Sequence, residues 1–236
     1  MSLKAALSKL PLPPNDELQM KALPQQGLFV TIVYYALYLQ LMRVALVKYN
    51  AGNIQSLTYA LNRLGITPEV TADPERLHSA DKVIFPGVGE ASSAMRSLKA
   101  NNLHAILPTL QQPFLGICLG QQLMCRHSEE NDTPCLNIFD LEVRRFPVNA
   151  AEKVPHMGWN TITDYKSPLF EGLNDQAYIY FVHSYYVEVG GPTIATCHYA
   201  APFSAAIHHN NFYAIQAHPE KSGKEGAQIL DNFLKL

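Results

Sequence analysis

The stretch from Pro113 to Gln122, Pro-Phe-Leu-Gly-Ile-Cys-Leu-Gly-Gln-Gln, limits the folds open to this chain more than any other part of the sequence. Its apolar residues form a short run that is typical of a strand buried on both faces. Gly116 and Gly120 flank Cys118, and a segment with helix-forming side chains follows at once. This order predicts a nucleophile elbow with the cysteine at its tip. The positive end of the helix dipole would favour the thiolate there.

A second stretch near the C-terminus contains the groups that such a nucleophile needs. Residues 212–220 read Phe-Tyr-Ala-Ile-Gln-Ala-His-Pro-Glu, which predicts a strand ending near His218 and Glu220. A thiol nucleophile needs a base within hydrogen-bond reach, and the base needs an acceptor that fixes its tautomer. We therefore predict His218 as the base and Glu220 as its orienting carboxylate. The alternative is that Cys118 is a structural cysteine packed between two glycines, because free cysteines are commonly buried.

The two motifs together resemble those of the class I glutamine amidotransferases, whose members carry a Cys-His-Glu triad. Within that family the chain is most similar to the glutaminase subunits of imidazole glycerol phosphate synthase, in histidine biosynthesis. The stretches that carry the resemblance are Lys48–Asn53, Pro86–Gly89, Gly116–Gln122, Pro155–Asn160, Phe181–Tyr186 and His218–Lys221. The resemblance begins at about Met42 and continues to the end of the chain, so it does not cover residues 1–41.

Apolar runs and turn residues predict a single α/β domain over residues 42–236, without an internal linker. We expect a mixed, mostly parallel central sheet flanked by helices, as in flavodoxin-like folds, and a second half rich in antiparallel strands. The helix that follows Cys118 is expected to continue through Arg126 as far as Glu130. Another helix is expected from about Leu103 to Gln111, and a final one from about Gly223 to Leu234.

Residues 1–41 form an extension outside the family pattern. Residues 1–26 predict loop or disorder, and residues 27–42 are an uncharged apolar run slightly shorter than the ~20 residues of a membrane-spanning helix. Three interpretations stay open: an upstream start assignment or artificial addition before a natural start at Met42, a membrane anchor or interfacial helix, and an added docking helix. We favour the first, because chains of the family typically begin as Met42 to Asn50 do.

Charge and cysteine content narrow the functional class. The formal net charge is −2 and no basic block occurs, so a nucleic-acid partner is not expected. The four cysteines form no Cys-x-x-Cys pair, which fits free thiols in a reducing cytoplasm. We expect no membrane association and no cofactor, since the first strand is not followed by a dinucleotide-binding glycine pattern. His208 and His209 would face opposite sides of a strand, so no metal site is expected there.

A loop of Gly87, Val88 and Gly89 follows the third predicted strand. Ligand sites in open α/β sheets lie at the carboxyl ends of strands, and glycines let a peptide unit turn its N–H toward an oxyanion. A turn that uses these residues for shape alone is the alternative. The resemblance implies that the loop stabilises the oxyanion together with the backbone N–H of Leu119, and that movement of the loop could switch activity.

The resemblance also implies the groups that bind glutamine. Gln122 lies one helical turn beyond Cys118 and shares its face, and Gln122 and Glu130 correspond to residues that hold the α-amino and carboxylate ends of the substrate. For Glu130, a solvated acidic helix end is the alternative. The segment His183–Tyr185 ends a predicted strand and can line the glutamine pocket. The resemblance implies that the backbone at Ser184 and Tyr185 contacts the substrate.

The resemblance further implies a heterodimer in which ammonia passes to a cyclase subunit built as a (β/α)8 barrel. This chain carries no phosphate loop or nucleotide motif, so we expect the acceptor chemistry to lie in that partner. Asn53, Trp159, Tyr180 and Lys221 match positions that face the partner. Trp159 and Tyr180 could instead belong to the core.

Three other functions remain possible at this point. A glutaminase for guanylate or anthranilate synthesis would share the triad but not the set of Lys48–Asn53, Pro155–Asn160 and Phe181–Tyr186. A non-catalytic regulatory subunit on the same fold would be free to lose Cys118. A cysteine peptidase is less consistent with Gln122 and with the His-Pro-Glu order.

Overall fold

The computed structural model describes residues 41–50, 54–147 and 152–236. The interpretations of residues 1–40 therefore lie outside the described residues. Within the described part of the chain, no helix is both long enough and apolar enough to span a membrane.

Thirteen strands and six α-helices are described, and they are named here in chain order. The strands are β1 (Val44–Val47), β2 (Glu69–Thr71), β3 (Lys82–Gly87), β4 (Phe114–Cys118), β5 (Cys125–Ser128), β6 (Thr133–Pro134), β7 (Phe139–Arg145), β8 (His156–Thr163), β9 (Ala177–His183), β10 (Tyr185–Val187), β11 (Thr193–Tyr199), β12 (Ala201–His209) and β13 (Phe212–Ile215). The helices are α1 (Ile54–Arg63), α2 (Pro74–Ser79), α3 (Ala91–Ala100), α4 (Leu103–Ile106), α5 (Leu119–Met124) and α6 (Gly223–Lys235).

Most strands belong to one nine-stranded sheet in the order β2-β1-β3-β4-β13-β12-β11-β8-β9. The strands from β2 to β13 in this order run parallel, and those from β13 to β9 run antiparallel. The predicted mixed sheet with an antiparallel second half is therefore confirmed. A second, four-stranded sheet has the order β10-β7-β5-β6 and was not predicted as a separate layer.

Side chains that point alternately to the two faces of the parallel strands are apolar on both sides, so helices cover both faces of the large sheet. In β1, Val44 and Leu46 belong to one apolar cluster and Ala45 and Val47 to the other, because successive side chains of a strand point to opposite faces. Helices α1 and α6 cover the first face with residues such as Leu61, whereas α3 and α5 cover the second. Such two-sided burial is what the apolar runs of these strands predict.

The helix after Cys118 is shorter than expected. It ends at Met124, and Cys125–Ser128 forms β5, which pairs in parallel with β7. The backbone carbonyls of Leu123, Met124 and Cys125 accept hydrogen bonds from residues 136–138 instead of continuing the helix. Sheet pairing between distant segments therefore overrides the local helical pattern at this point. The expected helix to Gln111 is likewise interrupted: a 3₁₀ turn at Leu107–Thr109 follows Ile106, since Pro108 lacks an N–H for an α-helix.

Candidate active site

Cys118 lies at the junction of β4 and α5 in a strained backbone conformation. Its φ is 54° and its ψ is −110°, a region that non-glycine residues rarely adopt. The flanking glycines are required by close approach: a Cβ at Gly120 would lie 2.0 Å from the carbonyl oxygen of Phe85, and one at Gly116 would lie 2.4 Å from the Met124 sulfur. The turn therefore holds the cysteine in one orientation, as in a nucleophile elbow.

Pairing of β13 beside β4 brings the second motif to Cys118. Ile215 is opposite Ile117 in this parallel pair, so the carboxyl ends of both strands meet at one edge of the sheet. His218 lies just beyond β13, and its Nδ1 is 2.8 Å from Oε1 of Glu220. Both side chains are almost fully buried. The other ring nitrogen, Nε2, has no hydrogen-bond partner among the described residues, which leaves it available to Cys118.

Electrostatics make His218 a cation at neutral pH. Burial alone would lower the pKa of the imidazole, but its interactions with Cys118 and then with Glu220 outweigh burial and raise the pKa to about 10. An imidazolium beside the sulfur favours a thiolate–imidazolium pair. This arrangement can attack an electrophilic carbon and then donate a proton to a leaving group.

A cavity of about 320 Å³ opens beside Cys118. Most of the residues predicted for the site line it, namely Val88, Gly89, Cys118, Leu119, Gln122, Glu130, Ser184, Tyr185 and His218. His183, expected at the pocket because it ends a predicted strand, lines it as well. Pro155 and Val182 also line it and were not among the predicted residues. Glu220 lies behind His218 and does not line this cavity. Gly87 pairs with Cys118 across β3 and β4, and it lines only a small neighbouring space.

The loop after β3 lies at the rim of the cavity. Gly89 has a positive φ of 106°, which suits glycine, and Val88 is 37% exposed. Below the loop, the buried hydroxyl of Tyr49 donates to the carbonyl oxygen of Pro86 at 2.8 Å. Burial and then the charge of Cys118 raise the pKa of Tyr49, so it stays a neutral donor.

The predicted glutamine-binding side chains are both in place at the cavity. Gln122 Nε2 donates to the carbonyl oxygen of Tyr185 at 2.8 Å and to Oε1 of Gln216 at 3.0 Å. Glu130 follows β5 in a turn, so it is not the end of a helix, and its Oε2 accepts from the Ala91 N–H at 2.7 Å. Burial raises the pKa of Glu130 even though this hydrogen bond opposes the shift.

Two site residues, Gln216 and His156, escaped the sequence analysis because only tertiary packing reveals them. Gln216 is fully buried, and its Nε2 lies 3.7 Å from the sulfur of Cys118. His183 and His156 are also buried, with His183 Nε2 at 3.0 Å from His156 Nδ1. Gln216 stands two residues before His218 on the same strand pattern, which is the one sequence signal that could have identified it.

Of the residues predicted to face a partner, Trp159, Tyr180 and Lys221 do not line the cavity. Asn53 is outside the described residues. Trp159 is 43% exposed, so the alternative that it belongs to the core is wrong. It stacks on Tyr178, and its ring centroid is 6.0 Å from that of Tyr180. The Lys221 Nζ lies 5.9 Å from the centre of the Tyr180 ring. With Met157, also exposed, these side chains form an apolar surface of the kind that binds other proteins.

Comparison with known proteins gives concordant results. The family model for glutamine amidotransferase class-I matches residues 45–236. The imidazole glycerol phosphate synthase subunit HisH of Bacteroides thetaiotaomicron is 60% identical over 196 residues, covering 83% of this chain and 100% of that protein. The protein of the same name from Vibrio cholerae is 43% identical over 200 residues, covering 82% and 98%.

Solved structures share the fold at much lower identity. PurLQS from Thermotoga maritima matches with a TM-score of 0.62 and 16% identity, covering 82% of this chain and 98% of that one. A glutamine amidotransferase matches with a TM-score of 0.63 and 18% identity, covering 81% and 97%.

Proposed function

The chain belongs to the class I glutamine amidotransferases and, within them, to the glutaminase subunits of imidazole glycerol phosphate synthase in histidine biosynthesis, and we propose how its residues perform the reaction. The enzyme hydrolyses glutamine to glutamate and ammonia. The ammonia then serves a partner subunit. The 60% identity to an imidazole glycerol phosphate synthase subunit HisH argues against the three alternatives, which were another synthase, a regulatory subunit and a peptidase.

Catalysis begins with Cys118. Its thiolate attacks the side-chain carboxamide carbon of glutamine, a C–S bond forms, and negative charge develops on the carboxamide oxygen. We assign stabilisation of this oxyanion to the backbone N–H groups of Val88, in the loop that follows Gly87 at the end of β3, and of Leu119. Support comes from the position of Val88, Gly89 and Leu119 around the same cavity as the sulfur.

His218 carries the proton through both halves of the reaction. Its imidazolium protonates the departing nitrogen as the C–N bond breaks, which releases ammonia and leaves a γ-glutamyl thioester. Neutral His218 then removes a proton from water, whose oxygen attacks the thioester carbon. The C–S bond breaks, which releases glutamate and regenerates the thiolate. Glu220 holds Nδ1 throughout, so that Nε2 faces the reacting atoms.

Charged and polar groups that line the cavity fit the other end of glutamine. The carboxylate of Glu130 suits the α-ammonium group, and Gln122 and the backbone at Ser184 and Tyr185 suit the polar α-carbon end. The cavity of about 320 Å³ is of the size that holds a small ligand.

The partner is proposed to be a cyclase subunit with a (β/α)8 barrel, joined as a heterodimer. We place its contact on the surface formed by Met157, Trp159, Tyr178, Tyr180 and Lys221, with Asn53 as a further predicted contact. The cytoplasm is the proposed location, since all four cysteines are free thiols and fit a reducing compartment.

One observation carries the catalytic proposal. Cys118, in a strained backbone conformation, shares a cavity with His218, whose Nδ1 is hydrogen-bonded to the buried carboxylate of Glu220. The test is glutamate release from glutamine by the purified chain, alone and with a candidate cyclase barrel plus its nucleotide ligand. The Cys118→Ala variant provides the blank.

We expect Cys118-dependent release that the barrel and its ligand stimulate. Release that ignores the barrel would retain the glutaminase but contradict the proposed partner. The absence of Cys118-dependent release under every condition would contradict the catalytic proposal.

A further inference from the structure

A directed set of hydrogen bonds runs from the sulfur of Cys118 through two buried glutamines to the His183–His156 pair. We propose that Gln216 is a positioning residue for Cys118: its Nε2–H donates to the sulfur and stabilises the thiolate, and the network behind it fixes that orientation. This inference rests on the proposed function only in taking Cys118 as the nucleophile.

The direction of the network is set at the carbonyl oxygen of Tyr185, which can only accept. His183 Nδ1 lies 2.8 Å from this oxygen and therefore carries the hydrogen. His183 Nε2 is then an acceptor, so the hydrogen of the 3.0 Å contact belongs to Nδ1 of His156. The remaining His156 nitrogen accepts from the Asn160 amide at 3.4 Å. For neutral rings, these partners determine both tautomers.

The Tyr185 carbonyl oxygen also determines the orientation of the side-chain amides of Gln122 and Gln216. It accepts a second hydrogen bond, from Gln122 Nε2, so the Gln122 amide cannot be flipped. The second hydrogen on that nitrogen points to Oε1 of Gln216. Oε1 of Gln216 is therefore used as an acceptor, and its Nε2 is the atom that faces the sulfur.

A donor at this position matters because a further neighbour of the sulfur, the Val182 carbonyl group, disfavours the thiolate. The carbonyl oxygen of Val182 lies 3.9 Å from Sγ, where it can accept from a thiol but repels a thiolate. A hydrogen bond from Gln216 to the thiolate is charge-assisted and strengthens when the proton leaves. Gln216 thus offsets the Val182 carbonyl in the state that attacks the substrate.

The histidine pair keeps one orientation because neither ring charges near neutral pH. A proton added to His183 would lie on Nε2 and face the Nδ1–H of His156 across the 3.0 Å contact. A proton added to His156 would lie on Nε2 and face the Asn160 amide N–H group. Burial lowers the pKa of His156 to about 4 and that of His183 to about 3. Aromatic rings of Phe146, Phe181 and Phe203 surround the pair and offer no counter-charge.

The test measures the pH profile of Cys118 alkylation by iodoacetamide, read by mass spectrometry of the Cys118 peptide. Gln216→Glu keeps an acceptor for Gln122 and replaces the donor to sulfur with a carboxylate oxygen. Gln216→Leu removes both. Gln121→Leu is the matched control, because Gln121 is buried beside Gln122 and donates only to the Ser204 carbonyl oxygen in the described contacts, at 3.1 Å. The titratable groups that act on Cys118, His218 and Tyr49, are unchanged in all three variants.

We expect Gln216→Leu to raise the midpoint of the profile by about one pH unit, a tenfold change, because a hydrogen bond to a charged group is lost. Gln216→Glu should raise it further, and Gln121→Leu should leave it in place. If Gln216→Leu does not fold, Gln216→Glu decides, with near-ultraviolet circular dichroism as the check of folding.

Midpoints of folded Gln216 variants that match the unsubstituted chain would overturn the inference, and so would an equal shift in Gln121→Leu. Alkylation needs no glutamine, so the result is separate from the fate of the proposed function. A chain that releases no glutamate but shows the Gln216 shift would contradict that function and leave this inference standing.

Discussion

Two buried histidines, His218 and His183, line the same cavity, and their hydrogen-bond partners give the two rings opposite charge states. His218 is bonded to a carboxylate and faces Cys118, and its pKa is raised to about 10. His183 is bonded to another histidine among aromatic rings, and burial lowers its pKa to about 3. Both rings are almost wholly buried. The difference therefore lies in the partner and not in the depth of burial.

This comparison separates two tasks that buried histidines perform. The charged pair, His218 with Glu220, can give a proton to a leaving group. The neutral pair, His183 with His156, cannot do so at neutral pH, and it instead keeps the Tyr185 carbonyl and the Gln122 amide in one orientation. The predictions below test whether this division holds.

The largest effect is expected from removing the charged ring. His218→Gln should lower the rate of glutamate release by about 10²–10⁴-fold, the usual contribution of a general acid–base group. His156→Gln should cost much less, about tenfold, because His156 acts only through other residues. Steady-state release with the partner present measures both. Equal losses in the two variants would contradict the division of tasks.

The second prediction uses a substitution that removes the charge beside His218, so that its partner becomes neutral like that of His183. Glu220→Gln keeps a polar group beside Nδ1 but removes its charge, and the amide can also stabilise the wrong tautomer. We expect the rate of glutamate release to fall by about 10²-fold or more and the pKa of His218 to drop. Glu171→Gln, at an exposed position, is the control and should behave like the unsubstituted chain. A Glu220→Gln variant of normal rate would remove the role assigned to the carboxylate.

The third prediction concerns the tight turn that holds Cys118 beside the charged pair. Gly120→Ala would place a Cβ 2.0 Å from the Phe85 carbonyl oxygen and should lower the free energy of unfolding by about 2–3 kcal/mol. Gly191→Ala meets no atom within 4 Å and should change it by less than about 0.5 kcal/mol. Urea denaturation compares the two. Similar values for both variants would show that the elbow tolerates a side chain at residue 120.

The smallest predicted effect is the decrease in the free energy of unfolding that the neutral pair causes at acidic pH. The pKa of His183 in the folded chain lies below the value of about 6.5 in the unfolded chain, so the unfolded chain binds more protons as the pH falls below 6.5. The free energy of unfolding should therefore fall by roughly 1–2 kcal/mol from this group between pH 6.5 and 5. His218 has the opposite sign, since its contribution is present below pH 6.5 and is lost as the pH rises toward 10.

Urea denaturation across this pH range checks the prediction. A variant carrying both His156→Gln and His183→Gln should show a flatter acid dependence than the unsubstituted chain. An unchanged slope would mean that the pair does not titrate on unfolding.

The two pairs also differ in how far the sequence reveals them. Cys118, His218 and Glu220 lie in short motifs whose residues act within one turn or strand end, so local patterns predict their place. The elbow, the parallel strands and the final helix follow from the same kind of local information. Their roles in catalysis remain predictions that the experiments above address.

Features that depend on distant segments could not be predicted in this way. The helical pattern after Met124 gives way to β5 because β7 pairs with it. His156 and His183 meet because β8 and β9 are paired in a register that no local pattern determines. Gln216 contacts Cys118 only because β13 lies beside β4. The exposed face of Trp159 is likewise a result of where β8 lies in the sheet.

The most direct test of the two charge states is nitrogen-15 NMR of the histidine rings at pH 7, in the unsubstituted chain and in Cys118→Ala. The account predicts that His218 is doubly protonated in the unsubstituted chain and that His156 and His183 are neutral with the hydrogen on Nδ1. It further predicts that Cys118→Ala lowers the pKa of His218 and leaves the other two rings unchanged. A neutral His218 in the unsubstituted chain, or a protonated His183, would contradict it.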